Sequence, residues 1–599
     1  MSKTHIPLRK DIPAKDKWDL STLFKSDDDW EKALTSILPM AEEIENCKGK
    51  VGQSADTFLH TLSLLSKMEQ TSEIVGSYAF LLSAGDAGDS ANQEKKSRYL
   101  MAATAAEAKI SFLIPEIQSI DEESVRQWIA TPAFDDYRVW VTKLLRMKNH
   151  ILSEKEEKIL ALQNESSQTP DKAFSMLTDV DMDFGTITTP EGEIPLTHST
   201  FSLLLQNQDI EIRKKTYQQF YGVFEKHKNT IATLYEGSVN QDIFEARVRE
   251  YKSAREKALY PDKVPLSVYD NLIKAVRESL PVVHRYYELR RKVLKLDTLH
   301  HYDVYVPLVH SVKKHTSYEE AVEIIRNALA PLGQEYVNTL CTGLVSGWVD
   351  RYENKGKDSG AFSAGSYTGY PYILLNYKED VLRDVYTMAH EGGHSMHSHY
   401  SSSSNPFMQY NYTIFEAEVA STFNEQLVFQ YLLKNADSKE MKAYLLSERA
   451  SDILATLYRQ TMFAEFELKT HEFVESGTPL TVDLLRSTYR KLLEDYFGPK
   501  VELLEMSDLE GLRIPHFYRA FYVYKYATGI SASLALAKRV TEGGEKEKED
   551  YFTFLKSGGS RYPIEALKVA GVDMESPEPV RSALKTFENL VDELESLLL

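Results

Sequence analysis

Hydrophobic and polar positions recur at helical spacing along most of this chain. From about residue 29 to 165, long stretches rich in Ala, Leu, Glu and Lys contain few glycines and prolines. Such sequences have high helix propensity. The segment "SYAFLLSAGDAGDSANQEKKSRYLMAATAAEAKISFL" is typical, with a short Gly/Asp break between two helical stretches. The pattern predicts a mostly α-helical protein.

Two segments depart from the helical pattern. In "FGTITTPEGEIPLT" (184–197), Thr and Ile alternate around a Pro-Glu-Gly turn, which predicts a small hairpin. It lies near a predicted domain boundary, so we expect an N-terminal helical lobe over residues 1–200 and a second domain over residues 201–599. The other segment, "SGAFSAGSYTGYPYILLNY" (359–377), is a glycine-containing loop that leads into an apolar strand. Pro371 at the start of this strand favours an edge position.

The segment after that strand, "KEDVLRDVYTMAHEGGHSMHSHY", is predicted to form one helix. This helix is expected to end at "SSSSNP" (401–406). Val381, Val385 and Met388 are expected to form its buried stripe.

The net charge and the short apolar runs argue against a nucleic-acid-binding or membrane-spanning protein. The 599 residues contain 70 Lys+Arg and 89 Asp+Glu, a net charge of −19, so no basic face for nucleic acid or an anionic membrane is indicated. No run approaches the roughly 18–20 apolar residues that span a bilayer. The two cysteines, Cys47 and Cys341, and a start without an apolar signal core favour a reducing compartment, and we expect a cytoplasmic protein.

The predicted helix contains a candidate metal site, His390-Glu391-x-x-His394. Side chains at i and i+4 lie one turn apart on the same face of a helix, so both imidazoles can reach one ion. Glu391 is rotated by about 100° and can lie beside an open coordination position, where it can take a proton from water. Gly392 and Gly393 cost about 1 kcal/mol each relative to Ala within a helix, which indicates close approach by another backbone or a ligand.

A catalytic zinc ion normally has three protein ligands, so a third is needed. His397 lies about 10 Å along the axis from His390, too far to share the ion, and is more consistent with a supporting or packing role. The extended metzincin pattern would have Gly at position 397 and His at position 400. This chain has His397 and Tyr400 there, so the sequence does not match the metzincins.

The next predicted helix offers three glutamates. Glu416 has a structural role, because Thr413-x-x-Glu416 forms a capping box. Glu418 and Glu425 share another face, and periodicity favours Glu418 as the ligand, with Glu425 behind it orienting a histidine. It does not exclude the reverse assignment.

The stretch "RIPHFYRAFYVYKYATG" (513–529) has many phenols and one histidine, and after Pro515 it is predicted to be helical. Tyr518, Tyr522 and Lys525 would then share one face. With 35 tyrosines in the chain, such a stripe is more often part of a core. The density of phenols beside a histidine is nevertheless more polar than a core helix needs.

H-E-G-G-H followed by a glutamate 24 residues after the second histidine, within "AEVASTFNE", resembles the oligoendopeptidase F branch of the thimet-oligopeptidase-like zinc metallopeptidases. The resemblance covers essentially the whole chain. It extends to "SGAFSAGSYTGYPYILLNY", "YPDKVPLSVYDNLIKAV", "LHHYDVYVPL" and "RIPHFYRAFYVYKYATGISASLA".

This resemblance implies a two-lobed helical ellipsoid with a deep central substrate channel and a small β-sheet beside the H-E-x-x-H helix. It also implies one Zn²⁺ per chain held by His390, His394 and Glu418, with Glu391 as the general base. The activity implied is cleavage of internal bonds in short peptides. A substrate peptide would pair in extended form with the "YILLNY" strand.

The family also uses a histidine and tyrosines of the 513–529 stretch to bind substrate and the oxyanion. Phe517 and Phe521 occupy some of the family's tyrosine positions, so the choice among the tyrosines stays open. We predict a catalytic role for His516, Tyr524 and Tyr522, and substrate contacts for Gly365, Tyr367 and Tyr518.

Two alternatives follow from the same residues. No G-x-M-E-N stretch is present, which argues against an aminopeptidase, but a carboxydipeptidase-type exopeptidase fits the same chemistry. A non-catalytic peptide-binding protein is the other alternative, although it would have no use for the base Glu391. The sequence leaves open a metal other than zinc and whether the chain is a monomer or a homodimer.

Overall fold

The computed structural model of the protein describes residues 6–309 and 314–599. Residues 1–5, which belong to the segment expected to lack a signal sequence, lie outside these ranges. Contacts divide the chain into two compact units. The first takes the described residues of Met1–Asn149, Lys313–Leu432 and Leu536–Val572; the second takes those of His150–Val312, Leu433–Ala535 and Asp573–Leu599. The domain boundary near residue 200 stays a prediction.

Helices account for most of the described residues, as the hydrophobic pattern predicts. In chain order they are α1 Asp27–Glu45, α2 Ala55–Gly85, α3 Ser90–Ile110, α4 Leu113–Ser119, α5 Glu122–Ile129, α6 Arg138–Arg146, α7 Glu154–Ser167, α8 Thr169–Met176, α9 His198–Leu204, α10 Ile210–Val248, α11 Ala254–Leu259, α12 Leu266–Glu278, α13 Leu280–Val293, α14 Tyr318–Ala328, α15 Gln334–Val345, α16 Arg383–Ser404, α17 Phe407–Tyr410, α18 Ile414–Lys434, α19 Lys439–Ile453, α20 Gln460–Glu475, α21 Val482–Phe497, α22 Tyr524–Glu542, α23 Glu545–Ser557, α24 Pro563–Val569 and α25 Glu578–Leu598.

The strands are short. They are β1 Thr186–Thr189, β2 Gly192–Pro195, β3 Leu299–His300, β4 Val349–Asp350, β5 Phe362–Ala364, β6 Tyr372–Leu374 and β7 Val501–Glu502. β1 and β2 form the predicted antiparallel hairpin, with Thr189 opposite Gly192. β3 pairs in parallel with β7.

In the three-stranded sheet of the first unit, β6 lies between β4, to which it is parallel, and the antiparallel β5. The prediction from Pro371 that this strand lies at an edge is therefore wrong, because both of its sides are hydrogen-bonded. Pro371 precedes the strand and removes no donor from the ladder. In the described part of the chain, the outer side of β5 is not paired with another strand, and Ser363 of β5 contacts Ser395 of α16.

The first unit has a continuous apolar core under its N-terminal helices. α1 begins at the N-cap Ser26, whose hydroxyl accepts from the Asp29 N–H. Its apolar positions recur at helical spacing, so that Trp30, Ile37 and Ile44 are buried together. The same cluster includes Tyr372 and Leu374 of β6, so the sheet is anchored to the helical core.

The second unit is organised along the 39-residue helix α10. The Phe184 and Phe201 rings stack on Phe220 of this helix. Gln219 of α10 donates to the carbonyl oxygens of Phe184 and Thr186 and so holds the hairpin. Among the described residues, no helix combines the length and the apolar composition needed to cross a bilayer.

Candidate metal centre

Helix α16 carries the H-E-x-x-H residues as one continuous helix from Arg383 to Ser404. Val385 and Met388 are fully buried beneath it, as predicted. Val381 is not part of this stripe, because it precedes the helix and is 39% exposed. The buried stripe fixes the rotation of α16 and leaves His390 and His394 partly accessible on another face.

Three side chains from two helices converge in the first unit. Glu418 Oε2 of α18 lies 3.3 Å from His390 Nε2 and 3.5 Å from His394 Nε2. One ligand atom from each of these residues lies within 4.8 Å of the others. Zinc bonds of about 2.0–2.2 Å to nitrogen and oxygen place tetrahedral donors at such separations. The residues therefore fit a single ion bound by two imidazoles and one carboxylate.

Glu425 lies behind this cluster, where it contacts a histidine. Its Oε1 is 3.0 Å from His390 Nδ1, and the carboxyl group is buried. The Arg383 guanidinium lies 4.0 Å from the same oxygen. A carboxylate on the second ring nitrogen fixes the tautomer and presents Nε2 to the ion. The geometry thus favours Glu418 as ligand and Glu425 as the residue that orients His390.

Two opposing effects set the charge of His390 in the metal-free protein. Burial by itself lowers the pKa of His390, but hydrogen bonds to Glu418 and Glu425 outweigh it and raise that pKa to about 10. Burial likewise favours the protonated form of Glu418, whereas the two histidines hold its pKa well below the usual range. A histidine binds a metal ion through its neutral ring.

Gly393 explains how α18 can approach α16 so closely. A Cβ at Gly393 would lie 2.5 Å from the carbonyl oxygen of Ala420 and 2.6 Å from Ser421 Cα. At Gly392 the nearest atom would be the Leu340 side chain, at 3.0 Å. The backbone approach predicted from the paired glycines is confirmed at Gly393. It brings Glu418 within reach of both histidines.

Gly393→Ala is expected to lower stability by about 1–3 kcal/mol, because the new methyl group overlaps backbone that cannot rotate away. Thermal unfolding of the metal-free variant, followed by circular dichroism, measures the loss. The matched control is Gly222→Ala in the middle of α10, where a Cβ meets no atom within 4 Å. It should raise stability by about 1 kcal/mol. A wild-type midpoint for Gly393→Ala would refute the role assigned to this glycine.

Glu391 is buried and lines a cavity of about 460 Å³. The cavity is also lined by Gly360 and Ala361, which precede β5, and by His390. Burial raises the pKa of the Glu391 carboxyl above its ordinary value, although the nearby His390 and His394 act to lower that pKa. A carboxyl group with a raised pKa is suited to accept a proton from water and to return it.

His397 does not join the metal cluster. Its ring is buried and stacks on Tyr412, with centroids 3.7 Å apart. Burial lowers the pKa of His397 to about 3, so the ring is neutral. Of the loop residues predicted to contact substrate, Gly365 lies against Ser398 of α16. Tyr367 is fixed by its N–H, which donates to Glu73 at 2.8 Å; substrate contact by both stays a prediction.

The stretch that begins at residue 513 lies in the second unit and is not one helix. A 3₁₀ turn, Pro515–Tyr518, precedes α22, and between them Phe521 has a φ of 57°. The predicted face of Tyr518, Tyr522 and Lys525 is therefore wrong, because the left-handed residue interrupts the helical repeat. Tyr518 instead stacks on Phe174, with centroids 4.6 Å apart.

The same stretch forms a cluster of three rings. The centroids of His516 and Tyr522 are 6.4 Å apart, those of His516 and Tyr526 are 6.1 Å apart, and those of Tyr522 and Tyr526 are 5.4 Å apart. Tyr524 points elsewhere: it is 0% exposed and packs on Tyr269. Its burial does not favour the predicted catalytic role. Tyr526 was not among the predicted site residues, although its i+4 spacing from Tyr522 is visible in the sequence.

Comparisons with known proteins show the family of this chain. The family model for Peptidase family M3 matches residues 203–586, and the model for Oligopeptidase F matches residues 116–184. The chain is 42% identical to an oligoendopeptidase F homolog of Borreliella burgdorferi, over 98% of this chain and 99% of that protein. It is 41% identical to oligopeptidase PepF of Bacillus subtilis, over 99% and 89% of the two chains.

A solved structure also matches this chain in fold. The crystal structure of oligoendopeptidase-F from Enterococcus faecium matches with a TM-score of 0.74 and 31% sequence identity. The match covers 95% of this chain and 99% of that one. That structure therefore shares both the length and the fold of this protein.

Proposed function

Because this chain belongs to peptidase family M3, in its oligopeptidase F branch, it is a metalloendopeptidase that acts on peptides, and we propose that it uses zinc to hydrolyse internal bonds of short oligopeptides. The observation that carries this proposal is the convergence of His390, His394 and Glu418 beside the buried Glu391. Nitrogen and oxygen donors in this number are the set that catalytic zinc prefers.

His390 and His394 of α16 and Glu418 of α18 would hold the ion. Zinc, when bound there, would polarise the scissile carbonyl and lower the pKa of a water molecule. Glu391 removes a proton from the attacking water and then delivers it to the leaving amine nitrogen. Glu425 keeps the His390 ring oriented throughout.

His516, Tyr522 and Tyr526 are proposed to bind the substrate and its developing oxyanion. The support is the resemblance to the family together with their clustering in the second unit. An imidazole N–H and two phenol O–H groups can donate hydrogen bonds to a carbonyl oxygen. We assign this role to Tyr526 rather than to the fully buried Tyr524.

An extended peptide is proposed to pair with β5, not with the "YILLNY" strand. Both sides of β6 are paired, one with β4 and the other with β5, so this strand has no open edge for strand addition. Ser363 of β5 lies 2.9 Å from Ser395 of α16, hydroxyl oxygen to hydroxyl oxygen. This contact fixes the position of β5 beside α16.

Glu425→Gln is expected to weaken zinc binding by about 10–100-fold, because a neutral amide orients His390 less firmly than a carboxylate does. Titration of the metal-free protein against a competing zinc chelator measures the affinity. Cleavage activity should return when zinc saturates the variant. Wild-type affinity would contradict the orienting role of Glu425.

Removal of the metal with a chelator should abolish peptide cleavage, and one equivalent of zinc per chain should restore it. The measurement is the initial rate of hydrolysis of an internally quenched peptide before chelation, after dialysis and after titration with zinc. Cleavage that persists in protein shown to be metal-free would overturn the proposed function. Restoration by another divalent ion, with none by zinc, would replace zinc as the assigned metal.

A further inference from the structure

Glu467 of α20 has a fully buried carboxyl group that makes one hydrogen bond in the part of the chain that the structure describes. In the second unit its Oε1 accepts a hydrogen bond from the Phe521 N–H at 2.7 Å. Its Oε2 is buried and has no hydrogen-bond partner among the described residues. Buried polar oxygens are usually satisfied, so an oxygen that is not requires an explanation.

Within residues 6–309 and 314–599, this carboxyl group has no ion-pair partner. Burial raises the pKa of Glu467 well above its ordinary value, the Phe521 N–H opposes that rise, and the nearby charge of Asp242 adds to it. Its neighbour on the same helix, Glu465, is different, because it pairs with Arg277 at 2.7 Å and accepts from the Tyr496 hydroxyl. An apolar side chain at position 467 would avoid the free energy of burying a polar group.

Phe521, whose N–H donates to Glu467, has an unfavourable backbone conformation. Phe521 lies in the left-handed region, at a φ of 57°, which residues with a side chain rarely adopt. Its ring is buried and lies against His471 and Tyr269. The chain therefore turns here because tertiary contacts, including the hydrogen bond to Glu467, impose the turn.

The turn determines where the neighbouring rings lie. His516 precedes it in the 3₁₀ turn, and Tyr522 directly follows it, so the relative position of these two rings depends on the backbone at Phe521. Tyr522 also lines a cavity of about 280 Å³ together with Arg519. A change at Phe521 would thus move a ring that is accessible to a ligand.

We infer that Glu467 is a positioning residue, which holds the Phe521 N–H in the left-handed turn that places Tyr522 beside His516 and Tyr526. The inference rests on the proposed function, in which these three side chains bind the substrate and stabilise its developing oxyanion. Glu467 itself contacts no reacting atom.

The test compares two substitutions at position 467 in the full-length, zinc-loaded protein. Glu467→Gln keeps a carbonyl oxygen that can accept the Phe521 N–H, whereas Glu467→Met has a similar length and only a weakly accepting thioether sulfur. We expect Glu467→Met to lower kcat at least tenfold with less than a threefold change in KM. Glu467→Gln should retain kcat within threefold. Zinc content should stay at the wild-type value in both, because the proposed ligands lie in the other unit.

A matched control removes the other buried carboxyl group of the same helix. Glu465→Met should lower the thermal midpoint but keep kcat within threefold, since the contacts described for Glu465 are to Arg277, Lys469 and the Tyr496 hydroxyl. Equal loss of kcat in Glu465→Met and Glu467→Met, or in Glu467→Gln and Glu467→Met, would overturn the inference. If Glu467→Met does not fold, Glu467→Leu provides the apolar variant.

Hydrogen exchange followed by mass spectrometry tests the turn without any activity. Peptides that cover residues 516–526 should exchange faster in Glu467→Met than in Glu467→Gln and wild type. Unchanged exchange would overturn the inference even if the enzyme cleaves peptides. A wild-type protein that cleaves no peptide would instead refute the proposed function, and the exchange data would still decide whether Glu467 holds the turn.

Discussion

Glu391→Gln is expected to lower kcat for peptide hydrolysis by about 10⁴-fold, the upper end of the contribution of a general acid–base residue. The amide can neither accept the proton of the attacking water nor deliver one to the leaving amine. Its size matches that of the carboxyl group, so the buried site and the adjacent cavity should be preserved. Steady-state hydrolysis of an internally quenched peptide measures the loss.

The zinc content of Glu391→Gln separates catalysis from metal binding. Glu391 is not one of the three converging residues, so one zinc ion per chain should remain, as measured by mass spectrometry of the dialysed protein. Glu425→Gln is the contrasting variant, because excess zinc should rescue it and should not rescue Glu391→Gln. Normal turnover by zinc-loaded Glu391→Gln would exclude Glu391 as the base.

Glu418→Ala is expected to weaken zinc binding by more than about 100-fold. This exceeds the effect of losing a residue that only hydrogen-bonds to a metal ligand. The substitution removes the carboxylate that approaches both histidines, at 3.3 and 3.5 Å. The remaining His390 and His394 would supply only two of the three protein ligands of a catalytic zinc site. Zinc content after dialysis and the affinity against a competing chelator both measure the change, and activity should fall with occupancy.

The order of the two glutamate variants decides between the assignments left open by periodicity. Glu418→Ala should lose more affinity than Glu425→Ala, because the Glu425 carboxylate contacts the far nitrogen of His390. The reverse order would make Glu425 the ligand. Equal and full occupancy in both variants would place the third ligand elsewhere.

The metal centre could be predicted from the sequence because its geometry is local. The i, i+4 spacing of His390 and His394 follows from the helical repeat, and α16 forms as one helix. The glycine pair indicated a close backbone approach, which Gly393 makes to α18. The i+7 spacing of Glu418 and Glu425 placed both on one face, and only the structure shows which one approaches both histidines.

Features that depend on distant residues were not predictable. β6 is a central strand because β4 and β5, which are separated from it in sequence, pair with its two sides. The left-handed turn at Phe521 has no local sequence signal, since it lacks glycine and is held by a side chain 54 positions away. The burial of Tyr524 also follows from tertiary contacts, whereas the i+4 spacing that brings Tyr526 beside Tyr522 is visible in the sequence.

A mass-spectrometric cleavage map of a mixture of short peptides and one folded protein tests the central claim most directly. We predict cuts at internal bonds of the peptides by the zinc-loaded enzyme, an intact folded protein, and no cuts by Glu391→Gln under the same conditions. Cuts confined to chain ends, or internal cuts that persist in Glu391→Gln, would contradict the account.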